Sequence, residues 1–169
     1  MENHFMRTTR RLFNIFFLIF AAVSCVSVEV PFGPVLKSGK TSVKKPAAPF
    51  EEFATSTADE AWINDKTGNT ISYLSECKKT KEKTEEIATE AAEGIDYAKI
   101  LKSSKGKIDG HPTTDLLVSG KIDSKKVRMA ISVFKIGDCT FSLTYGGREE
   151  QFDSELPIFE EFKEGFKAK

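Results

Sequence analysis

Between residues 98 and 145 the chain alternates apolar and polar side chains in four successive runs, each cut from the next by a two-residue turn. Residues 113–122 place Leu116, Val118 and Ile122 on one side, with Gly120 between them. Residues 125–136 do the same with Val127, Met129, Ile131 and Val133, and residues 139–145 with Cys139, Phe141, Leu143 and Tyr145. The first run, 98–105, alternates modestly. Asp109-Gly110, Asp123-Ser124 and Gly137-Asp138 separate the four. A period of two sends side chains to opposite faces of a sheet. Connections this short join only antiparallel neighbours. The middle of the chain is therefore confined to an antiparallel meander. Ala130, Phe134 and Ile136 lie on the reverse side, so part of that face is covered as well.

The flanking segments supply the rest of a domain. Ala61-Trp62-Ile63 and residues 70–75 read as a hairpin turned by Lys66-Thr67-Gly68-Asn69, with Ile71 and Tyr73 on one face of the second arm. Residues 80–93 read as a helix capped by Thr80, with Glu82, Glu85 and Glu86 near its positive end. Ile87, Ala91 and Ile95 would line its buried face, and Gly94 suits the stop. Residues 154–166 read as a second helix with Pro157 inside its first turn. Leu156, Phe159, Phe162 and Phe166 form its apolar strip, which reads as core rather than as a ligand box.

The amino-terminal segment has a different character. Arg7, Arg10 and Arg11 form a basic head, 12–23 is almost wholly apolar, and Ala22, Val23 and Ser24 lead into Cys25. This is the layout of an export signal, and both Met1 and Met6 leave it intact. The apolar run is shorter than the ~20 residues a spanning helix needs. Cysteine at this place resembles the lipobox of bacterial lipoproteins. That resemblance implies cleavage after residue 24, acylation of Cys25 (with palmitate among the chains) and anchorage in a membrane. Several acyl chains hold firmly where one holds only marginally. Val26 stands where aspartate would signal retention at the inner membrane. The resemblance thus implies the outer membrane, facing the periplasm or the cell surface.

The expected organisation is a signal at 1–24, a lipidated cysteine and flexible tether at 25–58, and a globular domain at 59–169. Pro31, Pro34, Pro46 and Pro49 interrupt the tether, and Lys37, Lys40, Lys44 and Lys45 make it basic. It has little apolar periodicity with which to offset ordering entropy. The whole 169-residue chain balances 25 basic against 25 acidic residues, and beyond Ser24 the formal charge is −2. No basic excess points to nucleic acid.

Trp62, the run Thr67-Gly68-Asn69-Thr70-Ile71-Ser72-Tyr73, Ser75 and Cys77 resemble the opening of a group of uncharacterised bacterial lipoproteins. Gly120-Lys121-Ile122-Asp123, Gly137-Asp138-Cys139-Thr140-Phe141, Phe152, Phe159, Phe162 and Gly165-Phe166 continue the likeness over 62–166. The element order, hairpin, helix, antiparallel strands, helix, resembles the PsbP-like fold. The photosystem II subunit of that name and the yeast Ran-binding protein Mog share it. The resemblance implies an α+β domain in which helices flank an antiparallel β-sheet as an α/β/α sandwich. It also implies an accessory or binding role. None of the metal-retention or Ran-binding residues of those proteins is matched.

Candidate chemistry is sparse. His111, in Asp109-Gly110-His111-Pro112, is the one histidine beyond the signal. As a general base it would need a nucleophile and an orienting acid, Asp109 or Asp115, and no nucleophile motif accompanies it. One histidine and two scattered cysteines lack the spacing of a zinc site, and Gly146-Gly147 is no phosphate loop, so neither metal nor cofactor is expected. Glu149, Glu150, Asp153 and Glu155 read as a solvated face at a helix start. With Cys25 acylated, Cys77 and Cys139 form an even pair in an oxidising compartment. They are a candidate disulfide; two buried small hydrophobes or a redox pair are the other readings. The sequence expectation is a membrane-anchored, non-catalytic binding or assembly module that meets an envelope protein or cell-wall partner. The alternative is a small envelope enzyme or redox protein using His111 or Cys77 and Cys139.

Overall fold

The computed structural model describes residues 41–168. They lie within one compact unit. Cys25, Lys37, Lys40 and the expected signal lie outside the described residues. In chain order the elements are β1 (Thr41–Ser42), β2 (Glu51–Glu52), β3 (Glu60–Asn64), β4 (Asn69–Cys77), α1 (Thr84–Glu90), β5 (Asp96–Ile108), β6 (His111–Ile122), β7 (Lys125–Ile136), β8 (Cys139–Arg148), α2 (Glu149–Gly165) and β9 (Lys167–Ala168).

Seven strands form one antiparallel sheet in the order β2-β3-β4-β8-β7-β6-β5, and β1 pairs with β9 in a small second sheet. The expected meander is β5 to β8. Asp109-Gly110 and Asp123-Ser124 turn it with positive φ at both residues. Such turns match the twist of the strands they join. β7 spans the expected residues. The hairpin β3–β4 joins the meander through β4 and β8, which pair from Thr70↔Gly146 to Cys77↔Cys139.

The alternation in the sequence becomes two cores, one on each face. On the first face Trp62, Ile71, Tyr73, Phe134, Phe141, Leu143 and Tyr145 meet Phe152, Phe159, Phe162 and Phe166 of the α2 segment. Phe166 stands edge-on to Tyr73 with ring centres 5.1 Å apart, and Phe162 does the same to Trp62 at 5.4 Å. Edge-to-face pairs of this kind add to the value of area burial. On the second face Leu116, Val118, Ile131 and Val133 meet Ala88, Ala92 and Ile95. The architecture is the expected α/β/α sandwich.

Several expectations change. The composition of residues 41–58 predicts a tether, yet Pro46, Phe50 and Ala58 are buried, β1 pairs with β9, and β2 pairs with β3. Lys44 reaches Glu161 at 2.9 Å and Lys45 reaches Glu52 at 2.6 Å. Partners distant in sequence order a stretch that has no periodicity of its own.

The first helix begins at Thr84, not Thr80, because Thr80 spends its hydroxyl on the N–H of Glu82 at 3.1 Å. The main-chain N–H of Lys83 donates instead to Glu86 at 2.9 Å. The chain beyond Glu90 winds more tightly, with Ala92 N–H bonded to Thr89 and Ile95 N–H to Ala92. Three residues per turn bring Ala92 and Ile95 into line over Ala88, and leave Ala91 exposed. Ile95 then passes so close to β6 that a side chain at Gly120 would meet it at 2.3 Å, so only glycine fits there.

The second helix begins at Glu149, which places Pro157 in its interior. Pro157 faces solvent, where water can satisfy the carbonyl left without a partner. Glu155, read as solvated, is only 8 % exposed. Its carboxylate accepts from Asn64 Nδ2 at 2.6 Å, Asn69 Nδ2 at 2.9 Å and the Thr67 hydroxyl at 3.3 Å. Tyr145 closes the cluster. It accepts from Asn69 at 3.0 Å and donates to the carbonyl of Phe152 at 2.8 Å.

Phe162→Ala is expected to destabilise the domain by about 3 kcal/mol, since it opens a cavity beneath α2; urea unfolding reads the loss, and an unchanged midpoint would contradict the packing described. Burial pushes the Tyr73 phenol up to about 12, and burial pushes that of Tyr145 up as well. Tyrosines of the unfolded chain lose their protons near pH 10. Stability is therefore expected to be full below about pH 10 and to fall as pH rises toward 12 and beyond; unfolding midpoints that stay level over that window would contradict the burial.

Candidate functional site

The docking of α2 leaves a cleft of about 380 Å³ between its carboxyl-terminal half and the first face of β5, β6 and β7. Leu117, Ala130 and Leu156 supply its apolar wall. Its polar groups converge from four elements. Asp115 of β6 is half-buried. It accepts from the Ser132 hydroxyl of β7 at 2.5 Å and from the Thr113 hydroxyl at 3.0 Å. Lys163 of α2 holds its ammonium 3.8 Å from Asp115 and 2.7 Å from Glu160. The same ammonium lies 5.3 Å from the centre of the Phe159 ring. Lys102 and Ser104 of β5 line the opposite wall.

Strand parity produces this convergence. Ser104, Asp115 and Ser132 are in register across three strands, so their side chains share one face. A side chain at Gly106 would meet the Asp115 carboxylate at 2.6 Å, so glycine there makes room for the acid. The cleft thus holds a fixed anion, a cation paired to it, and further groups of both signs on its walls. Such an arrangement suits recognition of a ligand that carries both a carboxylate and a hydrogen-bond donor. The buried Ser132 hydroxyl is committed to Asp115, and the Lys163 ammonium is shared between two carboxylates.

A second groove, of about 320 Å³, opens on the other face. Val127, Met129 and Gly146 floor it, Ile95 and Ile122 wall it, and Arg148 stands at its rim. It is the more apolar of the two, and its charged groups, Asp123, Lys125, Arg128 and Arg148, include three cations and one anion.

The residues singled out from the sequence fall in separate places. His111 opens β6 and stacks on Phe134 with ring centres 6.2 Å apart. Asp109, beside it in the chain, bonds Lys167 at 2.8 Å, and that hydrogen bond holds its carboxyl below the usual range. Asp115 is four residues further along the strand, roughly 13 Å away at a strand's rise per residue. The structure therefore places Asp115 in the cleft and leaves His111 outside it. Cys77 and Cys139 face each other at one end of the β4–β8 ladder and are joined, sulfur to sulfur, at 2.00 Å. Among the described residues no group of three or more His, Cys, Asp or Glu side chains is placed to hold a metal ion. Among them, too, no helix is long and apolar enough to cross a membrane. Lys163 and Ser132 carried no signal in the sequence, because only the docking of α2 brings them to Asp115.

The sequence matches no family model and no curated protein. Solved structures resemble the fold. LpqN of Mycobacterium tuberculosis, described as involved in cell envelope biogenesis, is 10% identical with a TM-score of 0.62, over 79% of this chain and 84% of that one. The cyanobacterial PsbP of Synechocystis is 11% identical with a TM-score of 0.55, over 82% of this chain and 97% of that one. A Pseudomonas aeruginosa protein of unknown function is 11% identical with a TM-score of 0.51, over 75% and 85%. The chain has the PsbP-like fold. At these identities the likeness is one of architecture, and it carries no site residue across.

The bridge between Cys77 and Cys139 spans a sequence separation of 62 residues. Reduction is expected to lower stability by about 4 kcal/mol in the chain-entropy account. Guanidinium unfolding with and without reductant measures this, and mass spectrometry of unreduced peptides identifies the pair; two free thiols in protein isolated without reductant would remove the bridge.

Proposed function

We propose that this protein is a non-catalytic binding module of a bacterial cell envelope, anchored in the outer membrane through acyl chains on Cys25. The observation that carries the reading is the cleft beneath α2. Asp115 and Lys163 form a prearranged pair of opposite charge in a concave site, with an apolar wall beside them. Sites of this composition bind by orienting a few polar groups against an apolar surface. The partner is an envelope protein or cell-wall component that offers a carboxylate and a hydrogen-bond donor close together.

Two further observations support it. The segment 7–25 has the layout of a lipoprotein export signal. LpqN, which shares the architecture, is described as taking part in envelope biogenesis. His111, stacked on Phe134 and distant from Asp115, contributes to the core in this reading and not to a reaction.

Metabolic palmitate labelling with membrane fractionation tests the anchor: Cys25→Ala is expected to lose the label and leave the membrane pellet, and retention of both would end this part of the reading. A photo-crosslinker placed at Ser104 tests the cleft in the native envelope. It is expected to give one stoichiometric adduct that Lys163→Glu abolishes and His111→Ala leaves intact; an adduct indifferent to Lys163 would move the binding site elsewhere.

A further inference from the structure

Among the described residues β5 is an edge strand, with no strand beside its outer side. At 13 residues it is the longest strand among those described, whereas β2, at the other edge of the sheet, has two residues. A bare edge of this length presents unpaired main-chain groups to any extended chain that approaches.

Its two halves differ. Register shifts fall between Asp96 and Lys99 and again between Ile100 and Lys102. From Lys102 to Ile108 the ladder to β6 is regular, with every residue paired in turn. The regular half therefore offers an ordered row of donors and acceptors. The irregular half carries exposed apolar side chains: Tyr97 is 86% exposed, Ile100 48% and Leu101 47%, with Ile122 of β6 at 47% nearby. Among the described residues these are four of the five exposed large hydrophobic side chains, Phe53 being the other. Tyr97 adopts a φ of 56°, which the L residues of an ordinary strand rarely do. Lys121 stands 5.6 Å from the centre of its ring.

Charge selects the occupant. β5 carries Lys99, Lys102, Lys105 and Lys107, and Asp96 at its start is its one acid. By register Lys102 lies on the face of the cleft and Lys105 on the face of α1, where it bonds Glu85. The strand thus shows cations on both faces. A second copy pairing antiparallel about Lys102 would set Lys102 against itself and Lys99 against Lys105. Pairing about Lys105 would set that lysine against its own copy. Like charges directly opposite each other destabilise a ladder. An acidic extended segment meets the reverse, a cation opposite its carboxylates and an apolar patch where its end arrives.

We infer that β5 is a docking edge for an extended acidic segment of a partner protein, which adds to the sheet as an eighth strand along Lys102–Ile108. This is the strand-addition mode of recognition, in which main-chain bonds give affinity and alternate side chains give selectivity. The inference goes beyond the cleft and does not require it, since among the described residues the edge is open whether or not the cleft is filled.

The test uses the full chain in detergent micelles and a synthetic peptide of alternating glutamate and valine, about 8 residues long. Amide hydrogen exchange is expected to slow on adding the peptide, with the new protection centred on residues 102–108. A lysine–valine peptide is expected to give none. Lys99→Glu with Lys107→Glu, both exposed and outside the cleft and either core, is expected to weaken binding about tenfold at low salt. Unfolding midpoints of that variant verify that the domain is intact. Protection elsewhere or none at all, equal binding of the lysine–valine peptide, or protection of 102–108 that rises with protein concentration alone and accompanies dimers, would each overturn the inference. These readouts are separate from the Ser104 crosslink and its dependence on Lys163, so the cleft and the edge fail independently.

Discussion

The placement of α2 depends on a buried acid. The Glu155 carboxylate could lie beneath a helix only if donors met it there, and Asn64, Thr67 and Asn69 do so from the end of one hairpin. An ionised group taken from water without such partners would cost far more than the packing of one aromatic ring returns. The cluster fixes the helix along its axis, and the phenylalanines beyond it then have one set of gaps to fill. Arg128 adds a lateral tie. Its guanidinium bonds both oxygens of Asp153 at 2.8 Å while lying 4.7 Å from the centre of the Phe152 ring. The position of Lys163 over Asp115, and with it the charge pattern of the cleft, follows from this seating.

The meander was legible because its information is local. Period-two alternation and two-residue turns decide pairing, register and facing among neighbours, and β7 falls where the alternation places it. The phenylalanine strip of α2 was legible for the same reason at a different period. What escaped was set by partners far away in the chain. Glu155 has the composition of a surface residue, and nothing near it in sequence announces the two asparagines. Residues 41–58 have the composition of a linker, and become ordered through β9, β3 and Glu161. Ala91 and Ala92 are indistinguishable in sequence, and the tightening after Glu90 decides which is buried. Of the cleft, Asp115 was visible only as a candidate orienting acid, and Lys163 not at all.

The two surfaces singled out for binding share β5. Its inward row, Lys102 and Ser104, walls the cleft, and its outward side is the open edge. On the proposed readings this strand, paired on one side only among the described residues, would meet a compact ligand on its face and an extended one along its edge. The opposite edge differs: β2 is two residues long and both of them are acidic.

The sheet is assembled from two pieces that the chain makes at different times. β3 and β4 come first, and the strand that completes their sheet, β8, comes last of the seven. A polypeptide delivered amino end first carries β4 with a bare flank until the final third has emerged. Cys77 ends that flank, and its partner Cys139 opens the strand that covers it. The covalent link therefore sits at the seam where early and late pieces meet, and it fastens at the first residue of the latecomer.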